Sequence, residues 1–172
     1  MKKLWFVFFM LFIPLSLCSQ MIFPDSTYMV DTETSFKIML GLPPRLVEKQ
    51  YGDPKERKIQ YKYGNGREYW IMTYDDLEIS YETRDMMITT IGITNKKFCT
   101  SKGIKVGDSL LSVVNTYGNP AYVNKNDNGL LTYVYKEYFK EINHIEGECT
   151  TVQFIFLNDV IVRIYLSIVS EV

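Results

Sequence analysis

The stretch Ile38-Met39-Leu40-Gly41-Leu42-Pro43-Pro44-Arg45-Leu46-Val47-Glu48-Lys49-Gln50-Tyr51-Gly52-Asp53-Pro54 aligns without a gap on Ile104-Lys105-Val106-Gly107-Asp108-Ser109-Leu110-Leu111-Ser112-Val113-Val114-Asn115-Thr116-Tyr117-Gly118-Asn119-Pro120. Ile, Gly, Val, Tyr, Gly and Pro coincide at one register, 66 residues from Gly41 to Gly107. An internal match at fixed spacing constrains the fold more than any average property of the chain. Both segments read as short helices. In the second, Asp108 or Ser109 can cap the N-terminus, and Leu110, Val113, Val114 and Tyr117 form one apolar face. Gly118 suits the left-handed residue after a helix, and Pro120 prevents continuation. In the first, Pro43 and Pro44 suit the opening turn, with Val47 and Tyr51 supplying the face. Helices of two or three turns are unstable alone, so each must lie on something.

That support reads as strand. After the first helix come Arg57–Tyr63, a turn at Gly64-Asn65-Gly66, Glu68–Tyr74, Leu77–Glu82 and Met86–Ile93. Leu77, Ile79 and Tyr81 alternate with Glu78, Ser80 and Glu82, the pattern of a half-buried strand. After the second come Ala121–Asn124, a turn at Asn126-Asp127-Asn128-Gly129, Leu130–Lys136, a polar loop over Glu137–Glu148, and then Cys149–Leu157 and Val160–Ile168. Asn158-Asp159 between the last two tolerates the positive φ of a tight turn. The expected fold is therefore α+β: two tandem units of about 65 residues, each a short helix packed on an antiparallel sheet of about four strands. The units span 36–95 and 96–172, after a linker over 19–35.

Gly, short helix, Tyr-Gly-x-Pro and antiparallel strands together resemble the small lipoproteins of outer-membrane protein assembly, the SmpA/OmlA type. They also resemble the tandem-repeat β-lactamase inhibitory proteins. The resemblance covers residues 36 to 168 and rests on Gly41, Tyr51, Gly52 and Pro54 with Gly107, Tyr117, Gly118 and Pro120. It implies a fold and a secreted binding role, and those matching residues are structural.

Residues 1–18 read as an export signal. Lys2 and Lys3 precede an apolar run from Leu4 to Leu17, followed by small polar residues. As a helix the run covers about 21 Å, short of the roughly 30 Å hydrocarbon core. Leu15-Ser16-Leu17-Cys18 is also similar to a lipobox, which makes Cys18 a lipidation candidate; cleavage after Cys18 is the alternative. Export favours a disulfide between Cys99 and Cys149. It would close a loop of about 50 residues and contribute about 4 kcal/mol on the chain-entropy model; two separate thiols are the other reading.

Nineteen basic side chains against 20 acidic ones give a formal net charge of -1, which argues against nucleic acid or an anionic membrane held by charge. One histidine and three cysteines leave little for zinc or a Ser-His-Asp arrangement. Glu141, His144 and Glu148 offer metal-ligand types but, without a second histidine, read as a solvated acidic loop. Asp75-Asp76 and Asp127 with Glu137 offer carboxylates for acid–base work. Paired acids at a hairpin tip are turn formers, however, and no neighbour with a reason to shift a pKa is visible. We therefore expect no enzyme, no cofactor and no metal.

Aromatic residues remain: 13 tyrosines, with Trp70 outside the signal segment. Placing Gly66 opposite Gly129 matches Trp70 with Tyr133, Ile71 with Val134 and Met72 with Tyr135. If Ile71, Val134 and Leu130 lie under the helices, then Trp70, Met72, Tyr74, Tyr133 and Tyr135 face away, joined by Arg163 and Tyr165. These residue types are enriched in protein interfaces. The expectation is an exported module gripping another protein through that aromatic face, with contact to membrane only through a lipid at Cys18. The alternatives are a lipid-anchored assembly lipoprotein of the cell envelope or a secreted enzyme inhibitor.

Overall fold

The computed structural model describes residues 27–61, 68–138 and 148–170. The signal segment, Cys18, the Gly64-Asn65-Gly66 turn and the loop carrying Glu141 and His144 lie outside them. Within them, alternation builds strands where β-branched and aromatic residues recur: β1 Tyr28–Asp31, β2 Lys37–Met39, β3 Glu56–Tyr61, β4 Glu68–Thr73, β5 Leu77–Glu82 and β6 Met87–Ile93. The chain continues with β7 Phe98–Thr100, β8 Tyr122–Lys125, β9 Leu131–Tyr138, β10 Glu148–Leu157 and β11 Val160–Ser170. Helix α1 spans Arg45–Tyr51 and α2 spans Leu110–Tyr117.

The two helices have the ends their sequences call for. Ser109 caps α2, its Oγ accepting from the Ser112 amide at 3.1 Å, while α1 opens on Pro43 and Pro44 without a side-chain cap. Gly52 and Gly118 close them with φ of 80° and 78°, and their amides donate to Glu48 and Val114 carbonyls at 2.8 Å. A side chain there would meet the left-handed penalty. The approach to each helix is stitched to a strand in the same way. Gly41 donates to the Ile88 carbonyl and Ile88 to that of Leu42; Gly107 donates to Ile161 and Ile161 to Asp108. Asn158 and Asp159 both have positive φ in the turn joining β10 to β11.

The expected α+β fold of two helix-on-sheet units does not form. Strands hold 53% of the described residues and helix 12%, and the strands make two antiparallel sheets rather than two separate four-stranded supports. The larger runs β3-β4-β5-β6-β11-β10-β9-β8, and its halves are fused where β6 pairs with β11, Ile93 opposite Ile164 and Ile91 opposite Leu166. The smaller runs β2-β1-β7. The stretch read as a linker thus carries β1, which pairs with β7 from beyond residue 95. Short helices explain the outcome. Helices of seven and eight residues cannot each cover a separate sheet. One sheet whose central strands are shared needs less cover.

Both helices and the small sheet add to a single core. Val47 of α1, Val113 of α2, and Met29, Ile38 and Phe98 of the small sheet cluster with Ile79, Ile91, Ile93, Phe154, Ile164 and Leu166 of the large one. One side of the large sheet is therefore covered. The other side carries none of these elements; it is open around Arg163, whereas Glu82, Cys149 and Thr151, which alternate onto it towards the far end, are buried. Among the described residues, no helix is long and apolar enough to cross a membrane.

Candidate functional site

Strand register decides which side chains share each face, because directly paired residues point the same way and successive ones alternate. Trp70 stands opposite Tyr81, and Met72 opposite Ile79. Tyr133 stands opposite Phe154, and Tyr135 opposite Val152. All four partners belong to the core, Met72 is itself 0% exposed and Tyr135 6%. Trp70, Met72, Tyr133 and Tyr135 thus lie on the covered face. Tyr74, just past β4, packs edge-on against Tyr51 of α1 with ring centroids 6.1 Å apart.

Arg163 and Tyr165 do the opposite. They alternate on β11 with Ile164 and Leu166, both 0% exposed, and so emerge on the open face. Ile71 and Val134, expected beneath the helices, emerge there too and are half-buried; Leu130 precedes β9. The seven residues read as one surface are therefore divided between two faces by the pleat.

The covered face needs rings because the helices end in rings. Tyr117 of α2 lies 5.0 Å from Phe154 and 5.2 Å from Tyr135, and Tyr135 donates its hydroxyl proton to the Gly118 carbonyl at 3.1 Å. Burial pushes the Tyr117 phenol up to about 12. Tyr51 of α1 packs edge-on against Phe36 and Phe98. Its hydroxyl donates to Asp31 Oδ2 at 2.8 Å, while Asp31 Oδ1 accepts from the Glu33 and Thr34 amides. Lys97 completes this anchor, 3.7 Å from Asp31 and 3.2 Å from Glu33. Burial would raise the Asp31 carboxyl, but the hydrogen bonds outweigh it and hold the acid below its ordinary value. Sequence reasoning missed this anchor; Asp31 lay in the supposed linker.

The open face is built around Tyr165 and Gly92. These residues pair across β6 and β11, and glycine leaves room for the phenol ring to lie down on the neighbouring strand. Arg163 Nη1 donates to the Tyr165 hydroxyl at 2.8 Å, with its Cζ 5.6 Å from the ring centroid. Ile155 pairs with Arg163, and Thr132 follows on β9. At the edge, Tyr122 is 56% exposed under Lys136, whose Nζ lies 4.7 Å from its ring centroid.

The other sequence candidates have structural places. Asp75 pairs with Lys55, Asp76 accepts from Asn95, and Glu137 lies 3.5 Å from Lys102. Asp127 sits in the exposed turn before β9. Among the described residues, no three His, Cys, Asp or Glu side chains are placed to hold a metal ion. The disulfide expected between Cys99 and Cys149 is not made. Cys99 lies on β7 of the small sheet and Cys149 is buried on β10 of the large one, so the two belong to different layers.

No protein-family model matches the chain, and no curated protein matches it. A solved structure described as a "putative beta-lactamase inhibitor protein" from Streptococcus mutans is similar at 14% identity, over 78% of this chain and 86% of that one, with a TM-score of 0.27.

Proposed function

We propose that this is an exported, non-enzymatic module that meets a protein partner with the open face of its eight-stranded sheet. The observation that carries the reading is the character of that face. Ile155 stands half-buried on the strand next to a ring pinned by glycine, with an exposed arginine beside that ring. Half-buried Val134 and Ile71 extend the same face two and three strands away from it. Rigid aromatic and arginine anchors among small apolar and threonine side chains are what protein interfaces are made from. Export rests on the two lysines, apolar run and small residues of 1–18. Within that reading Cys18 remains the candidate for lipid attachment, and labelling with a palmitate analogue tests it: an unlabelled full-length chain removes the tether.

Site-specific photocross-linking in producing cells tests the binding face. A photoreactive residue replaces Ile71 or Ile155 on the open face, or Leu111, which is 65% exposed on α2. Cross-links to a discrete protein should form from positions 71 and 155 and not from 111. Cross-linking confined to 111, or absent from both open-face positions, overturns the proposal.

A further inference from the structure

Arg163 is held on its strand by a tyrosine, as Lys136 is by Tyr122. Arg57 on β3 pairs with Glu48, and Lys58 with Glu56. Arg163 has no carboxylate partner among the described residues; the Tyr165 hydroxyl and ring hold it instead. One N–H of the five on a guanidinium is committed to that hydroxyl. In line with Arg163 the acid is Asp76, beyond Thr94, and in line with Tyr165 it is Glu78, opposite Gly92 on β5. One whole strand separates β5 from β11, about 10 Å at ordinary strand spacing.

The seat beneath the guanidinium is rigid. The Tyr165 ring fills the space that a side chain at Gly92 of β6 would take, so β6 backs the ring. Ile155, the cross-strand neighbour of Arg163, supplies an apolar flank. A planar fork with unused donors, held in advance and bordered by apolar surface, matches a carboxylate in bidentate geometry. A small free anion would need several donors and enclosing walls, and a single arginine on a sheet face supplies neither. An acid carried by a protein brings the rest of its own surface to cover Ile155 and Tyr165.

We infer that Arg163, seated on Tyr165, anchors an aspartate or glutamate side chain presented by a protein partner. This rests on the open-face reading above. Selection of a phage library of disulfide-constrained random peptides on the folded chain tests it. Enriched peptides should contain Asp or Glu and bind about ten- to a hundredfold more weakly to Arg163→Gln, with a smaller loss for Arg163→Lys. Exchanging the peptide acid for its amide should cause a similar loss on wild type and little further loss on Arg163→Gln. Gln153 pairs with Tyr165, so Gln153→Trp crowds the face without altering charge. Peptides blocked by Gln153→Trp but indifferent to Arg163→Gln overturn the carboxylate anchor and leave the open-face reading standing. Peptides indifferent to both variants, or no enrichment on a wild-type chain verified as folded, overturn both. Circular dichroism melts verify the fold of every variant.

Discussion

The ring of Tyr165 lies on Gly92 so closely that a Cβ there would stand 2.6 Å from Tyr165 Cε1 and 3.0 Å from Cδ1. This contact crosses the β6–β11 pairing, the seam that turns eight strands into one sheet. A glycine in a central strand normally weakens it. Here the missing side chain is replaced by a ring from the next strand, and the same contact sets where Arg163 sits.

Gly92→Ala should therefore destabilise the chain by about 1–3 kcal/mol, as overpacking does. The added methyl must push a ring whose hydroxyl is held by Arg163. Tyr165→Ala in the same chain should recover part of the loss. Denaturant midpoints for the two single variants and the double variant read the coupling. Additive losses would show that the contact does not bear on stability.

Tyr51→Phe should cost about 1–2 kcal/mol, because it removes a donor from a carboxylate whose side chain is 0% exposed. The Asp31 acid is held below its ordinary value when folded, so it contributes stability that is full above the unfolded value of 3.8 and lost as pH falls through the folded value. Melting temperatures of wild type and Asp31→Asn should converge as the pH drops below about 4. A constant gap down to the acid transition would contradict that.

Trp70, Tyr133 and Tyr135 are core contributors, and their truncation should be read in stability. Tyr135→Ala should cost about 3 kcal/mol, since the ring is buried, touches Phe154 and donates to Gly118. Losses should be smaller for Trp70→Ala and Tyr133→Ala, whose rings are half-buried. Equilibrium urea unfolding distinguishes these from open-face substitutions such as Arg163→Gln, which should leave the midpoint within about 0.5 kcal/mol of wild type.

The thiols should be present and slow to react. Burial raises the Cys99 thiol above its ordinary value, so its thiolate fraction at neutral pH is below that of an exposed cysteine. Cys149 is 0% exposed. An aromatic disulfide reagent should react slowly with Cys99, reach Cys149 only on unfolding, and give the same count with or without prior reduction. A higher count after reduction would place a disulfide in the chain.

Much of the local structure was legible. The Gly, helix and Tyr-Gly-x-Pro signals located both helices and their glycine ends, since caps, prolines and positive φ depend on near neighbours. Alternation located β4, β5, β6, β9, β10 and β11 for the same reason. It missed β1, β2 and β7, strands of three or four residues whose identity comes from pairing across the chain: Val30 meets Cys99, and Met29 meets Ile38 and Thr100. No window around Asp31 announces that it will receive the hydroxyl of Tyr51.

The chain's own order of residues determined which side chains travel together on each strand: Trp70 with Met72, Tyr133 with Tyr135, Arg163 with Tyr165. That follows from the two-residue period of an extended backbone. Which group is covered was decided only in three dimensions, because β4 and β9 carry apolar side chains on both faces and either could have met the helices. The terminal tyrosines of the two short helices, the strand pairing of β6 with β11, and the small sheet folded over the same side placed the rings inside and left Arg163 and Tyr165 on the open face. Burial is a property of what comes to lie opposite, and nothing within one strand contains it.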